Sequence, residues 1–233
     1  MANFNTHLNV AAVTTGLSAA ALLSAEHISL SSAIWLWLLG TIGGLLPDID
    51  SDNSTSLDTL FNLFALSAVL IVIRYITAEQ FVQISFIELI AIPLLVYAVM
   101  RYLLRPIFEK ITVHRGSCHS LLFLFFIALL TTQITWRVTV QATEQSIFIA
   151  WLSGGFILLG GVVHLLLDEI YSVDLSNISI KRSFGTALKL AEFKNKILTL
   201  LTVIAIITLT YITPSPSETI DILSNWDKFK LKP

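Results

Sequence analysis

A chain of 233 residues that is 55% hydrophobic and only 13% charged, with a mean hydropathy of +0.80, has too few polar side chains to cover a water-facing globule. Soluble domains carry about 25% charged residues, so a bilayer has to supply part of the solvent here. A net charge of -2 offers nothing to a nucleic-acid backbone, and the lone cysteine, Cys118, excludes an internal disulfide.

A helix needs about 20 mostly apolar residues to cross roughly 30 Å of hydrocarbon. In chain order, seven stretches meet or approach that length: 8–25, 31–46, 57–76, 86–104, 120–136, 147–167 and 197–213. The first resembles a signal peptide, with small residues at Ala19-Ala20-Ala21 and Ser24-Ala25. No Lys or Arg precedes it, however, so it reads as a permanent span. The second is short, and the third carries Arg74 near its end, where the side chain can snorkel. The sequence thus predicts an all-α, polytopic transmembrane bundle of about seven spans, one domain over 1–213 with a tail at 214–233. Pro47 is expected to end the second helix and to extend the chain after it.

With seven spans, nine of the fourteen Lys and Arg residues fall on the side that holds Met1. The positive-inside rule places that side in the cytoplasm. Trp35, Trp37, Trp136 and Trp151 fall near the opposite face, as an aromatic belt does. The long polar connection at 169–196 is a basic cytoplasmic loop. Within it 181–196 reads as an interfacial helix, because Phe184, Ala187, Leu188 and Ala191 follow the i, i+3, i+4, i+7 stripe opposite lysines. An ordinary solvated loop is the competing reading.

The same threading gathers four of the five histidines at one face. His7 opens the first span and Pro47-Asp48-Ile49-Asp50 closes the second. His114-Arg115-Gly116-Ser117-Cys118-His119-Ser120 opens the fifth, and His164-Leu165-Leu166-Leu167-Asp168 closes the sixth. His164 and Asp168 are i and i+4 on one helix face. Gly116 suits a loop-to-helix join, with His114 on the loop and His119 in the first turn. Imidazole and carboxylate together form the ligand set of Zn, Mn, Fe or Ni. Arg115 would pair with a carboxylate or clamp a phosphate oxygen.

Singly, each has a plain explanation. A lone intramembrane histidine is ordinarily a helix–helix hydrogen-bond partner, and an Asp near Pro is ordinarily a turn. Asp52 and Asp58 read as solvated or capping residues, Cys118 as a small packing residue, and His27 has no assigned role. Ionisable groups near membrane depth are costly and tend to be functional. So many on one face therefore point to a metal centre, with His7, Asp48, Asp50, His114, His119, His164 and Asp168 as candidate ligands.

At these residues the chain resembles the LexA-binding, inner-membrane-associated (YdjM-like) family of metal-dependent hydrolases. The family pattern is an N-terminal histidine, a Leu-Pro-Asp-x-Asp box, a His-Arg-Gly-x-x-His-Ser box and a His-x-x-x-Asp box. Here these are His7, 46–50, 114–120 and 164–168, in the same order, and the likeness covers roughly residues 1–175. Cys118 stands where threonine is usual, and Ser51 where histidine is common. The 172–190 region lacks the proline-containing segment expected after the last box.

The resemblance implies an inner-membrane hydrolase. The expected chemistry is metal-assisted: one or two divalent ions, Zn or Mn, activate water against a phosphoester or lipid-linked substrate. Asp48 and Arg115 are the catalytic candidates, as proton acceptor and charge stabiliser. Membrane lipid is the expected partner and nucleic acid is not. A metal- or proton-coupled transporter and a non-catalytic adaptor with a structural metal are the rivals. Transporters place such groups near mid-membrane, whereas here they gather at one end.

Overall fold

The computed structural model describes residues 3–50, 55–77, 85–111, 118–139, 144–174, 179–180, 188–191, 193 and 196–225. Among these residues, apart from one pair of two-residue antiparallel strands, β1 (Val173–Asp174) and β2 (Ser179–Ile180), the regular structure is helical. The helices are α1 (Phe4–Ser24), α2 (Leu30–Gly43), α3 (Thr55–Thr77), α4 (Phe86–Ala98), α5 (Arg105–Ile111), α6 (Leu121–Val138), α7 (Glu144–Ile170), α8 (Lys196–Ile212) and α9 (Ser217–Ser224). A π-helical turn, Val99–Leu104, joins α4 to α5.

A helix forms at each of the seven predicted stretches, but their lengths correct the expected count of about seven spans. Among the described residues four helices are long and apolar enough to cross a membrane: Phe4–Ser24, Phe86–Glu109, Leu121–Val138 and Gln145–Ile170. The count becomes five if α8 and α9, bent by 84°, form a single span. The second stretch is short because α2 stops at Gly43, not Leu46; its 14 residues span only about 21 Å. Pro47 does not extend the chain either. The backbone tightens into a 3-10 turn, Leu46–Asp50, whose φ values a proline ring satisfies.

The chain forms two compact units, Met1–Pro47 with Ser117–Pro233, and Asp48–Gly116. In the first, α1 is capped by Asn3, whose side chain accepts from the Thr6 N–H at 2.8 Å. It ends in a left-handed turn at Glu26 (φ 59°), closed by bonds from Glu26 N–H to Leu23 O and from His27 N–H to Leu22 O. That turn sends α2 back along α1, and both pack on α7, which also carries α6. An apolar cluster of Ala19, Leu22, Ile28, Ala33, Leu36, Phe148, Leu152 and Phe156 fills the end where α1 finishes and α7 begins. Three of the belt tryptophans spend their indole N–H on protein: Trp35 on Ser153 Oγ, Trp37 on Ala12 O and Trp151 on Pro214 O.

Helix α8 packs on α6, and Thr213 at its end donates to Gln133 Oε1 at 3.2 Å. After the bend, α9 lies against α7 and adds Ile222 and Leu223 to the apolar cluster. Of the expected interfacial helix, 181–187, 192 and 194–195 fall outside the described residues. The described stretch 188–191 is not helical. In the second unit α3 packs on α4, and Asp58 is neither free in solvent nor a cap. Its Oδ1 accepts from Arg101 at 2.8 Å and lies 2.9 Å from Arg105.

Candidate metal centre

Close helix packing creates the site. A Cβ on Gly160 would sit 1.9 Å from Gly40 O, and one on Gly43 would sit 2.3 Å from Ile157 O. The backbones of α2 and α7 therefore touch, as small residues permit. On another face of α7, a Cβ on Gly154 would meet Thr132 and the Ala128 carbonyl, and one on Gly161 would meet Leu124. Helix α6 is thus held equally close.

This packing brings three helix ends together. His7 lies in the first turn of α1, His119 immediately precedes Ser120, the N-cap of α6, and His164 and Asp168 are one turn apart near the end of α7. Relative exposures are 1%, 2%, 0% and 3% in that order, so all four are sealed in the unit. His7 Nε2 stands 3.3 Å from Asp168 Oδ1. His119 Nε2 and His164 Nε2 each stand 3.8 Å from Oδ2. The His7 and His164 rings stack at 3.6 Å with 12° between planes, and His119 meets His164 edge-on at 5.6 Å.

Those separations fit an ion better than direct hydrogen bonding. Charge-assisted N–H···O bonds close to about 2.7–2.9 Å. Two donors each about 2.1 Å from a tetrahedral ion lie about 3.4 Å apart. One ligand atom from each of His119, His164 and Asp168 falls within 4.8 Å of the others. His164 Nδ1 is 2.7 Å from Gly44 O. A carbonyl only accepts, so Nδ1 carries the hydrogen, and Nε2, the nitrogen that faces Asp168, is the one a metal would use.

Of the seven candidate ligands, the first unit thus assembles His7, His119, His164 and Asp168. Asp48 lies half-buried in the 3-10 turn, as the first residue of the second unit, directly after buried Pro47. Asp50 ends that turn, and its side chain falls outside the described residues, as do His114 and Arg115. Cys118 is buried, in keeping with packing. His27 is half-buried, edge-on to Phe148. The Gly44 carbonyl escaped the sequence reading. Its signal was the small-residue pattern of Gly40 and Gly43 on α2 against Gly160 on α7, typical of touching helices.

The fold and the cluster together define a helical membrane protein with a buried His/Asp centre at one end of its bundle. Residues 1–215 match the YdjM inner membrane protein family, and the chain belongs to it. No curated protein and no solved structure matches it.

Proposed function

We propose that this protein is a multi-pass inner-membrane hydrolase whose cluster of His7, His119, His164 and Asp168 holds a divalent ion, Zn or Mn, at the cytoplasmic face. The observation that carries the reading is the convergence of three imidazole Nε2 atoms on the two oxygens of one buried carboxylate. Such an ion lowers the pKa of water and polarises an ester oxygen. The chain's own contribution is the sealed, low-dielectric end and the fixed tautomer of His164. Asp48 would accept a proton or complete the ligand set. Arg115 would fork onto phosphoryl oxygens, which favours a phosphoester or lipid-linked substrate.

Seven crossings belong to this proposal. In the first unit the start of α1, the end of α2, the start of α6 and the end of α7 all lie at the histidine end. A chain that leaves that end at Gly44 and regains it at Ser120 crosses the bilayer an even number of times between them. Phe86–Glu109 is long and apolar enough to be one such crossing, and α3 would then be the other.

Metal analysis of gently purified protein tests the centre. A stoichiometric ion that is lost in His164→Ala supports it, and wild-type protein that stays metal-free after reconstitution overturns it. Untargeted comparison of lipids and phosphometabolites in a wild-type strain with those in deletion and Asp168→Ala strains then names the substrate. Metal uptake into proteoliposomes would instead show a transporter.

A further inference from the structure

The N-terminal turn of α6 is capped from elsewhere in the chain. Phe123 N–H is taken by Ser120 Oγ and Leu124 N–H by Ser120 O. The two N–H groups before them go to residues almost seventy positions away: Leu121 N–H to Lys189 O at 3.0 Å, and Leu122 N–H to Leu190 O at 2.9 Å. Residues 188–191 thus lie as a non-helical strap across the turn that immediately follows His119.

The strap's side chains point to what holds it there. Leu188, Leu190 and Phe193 are 37%, 73% and 71% exposed, an apolar face that water would not favour. Lys189, Lys194 and Lys196 are interleaved with them in the sequence. Apolar groups alternating with lysines match the boundary between acyl chains and anionic headgroups. The strap bonds to the histidine end of the first unit, where such a boundary lies if the helices cross the bilayer.

We propose that 188–191, seated in an anionic lipid leaflet, is the positioning element of His119. Leaflet contact at Leu190 and Phe193 holds the strap, its two carbonyls hold the first turn of α6, and that turn fixes the backbone presenting the imidazole. The inference rests on His119 belonging to the proposed centre, but its test needs neither metal nor substrate.

The experiment is hydrogen exchange of the full-length protein in nanodiscs, read at the Leu121 and Leu122 amides. Nanodiscs of phosphatidylcholine alone are compared with nanodiscs containing phosphatidylglycerol. In the anionic discs these two amides should exchange at least tenfold more slowly, while amides in the middle of α6 and α7 stay unchanged. Leu190→Ser combined with Phe193→Ser should abolish that difference, and Leu190→Met should keep it. Equal exchange in both lipids, or a lipid effect that survives the double serine variant, overturns the proposal. General loss of protection across α6 and α7 in the serine variant would show a fold defect, and the wild-type lipid comparison then decides alone. Metal content measured on the same samples separates failure of the strap from failure of the centre.

Discussion

The imidazole of His164 reaches the carbonyl oxygen of Gly44 at 2.7 Å, across 120 positions of sequence. That contact exists only because α2 and α7 touch backbone to backbone at Gly40, Gly43 and Gly160. Packing and the orientation of the His164 ring are therefore one property of this interface.

Replacing Gly160 with alanine tests the link. The new Cβ would fall 1.9 Å from Gly40 O, a backbone atom that can yield only if the helices separate. Overpacking of this kind costs about 1–3 kcal/mol. Gly160→Ala should lower the thermal midpoint in detergent and weaken metal binding together. Gly155 is the control, since a Cβ there meets nothing within 4 Å. Gly155→Ala should be neutral or stabilising by up to about 1 kcal/mol, from helix propensity alone. Equal behaviour of the two variants in thermal melts would refute the packing argument.

Asp168 is the hub of the cluster, with His7 on one oxygen and His119 and His164 on the other. Asp168→Asn keeps the volume and removes the charge that would face a divalent cation. It should reduce metal affinity by more than tenfold, measured by competition with a chelator of known strength, and leave helix content unchanged by circular dichroism. Affinity within twofold of wild type would remove Asp168 from the centre.

Much of this was legible in the sequence because its signals are local. Each of the seven apolar stretches became a helix, and the His164–Asp168 spacing gave one helix face. Counting helix ends put His7 and His119 at one end, and in the structure both lie against Asp168. What the sequence concealed depends on tertiary approach. Helix α2 ends at Gly43, the residue whose carbonyl Pro47 has no N–H to bond, but the Gly44 carbonyl that meets His164 is invisible in a one-letter code. Asp58 read as a surface acid because its partners lie more than forty positions away, one of them on a π-helical turn. The 188–191 segment fits a helical stripe by spacing, yet its carbonyls serve α6 instead of their own chain.

The Asp58 pairing makes its own prediction. One carboxylate oxygen lies within 2.9 Å of two guanidiniums, but the Asp58 side chain is 45% exposed, which moderates the gain. Asp58→Ala should destabilise the α3–α4 pairing by about 1 kcal/mol and bring two like charges together. Swapping the charges, Asp58→Arg with Arg101→Asp, should recover part of that loss in the same melts. A double variant no better than Asp58→Ala would mean that the pair contributes nothing.

The last prediction concerns the threading itself. Helix α3 has 23 residues, about 34 Å of rise, but the part that scores as apolar is only Leu57–Leu70. Hydropathy alone would leave it outside the membrane, and Phe86–Glu109 would then be an odd crossing. The proposed threading excludes that, because Gly44 and His119 both reach His164 or its neighbour Asp168. A chain cannot start and finish at one face after a single passage. Ser85, the cap of α4, should therefore lie on the face opposite His7. In a Cys118→Ser background, single cysteines at Asn3 and Ser85 should label from opposite sides of sealed, oriented vesicles with a membrane-impermeant maleimide. Labelling of both from the same side would make α4 a re-entrant hairpin rather than a span.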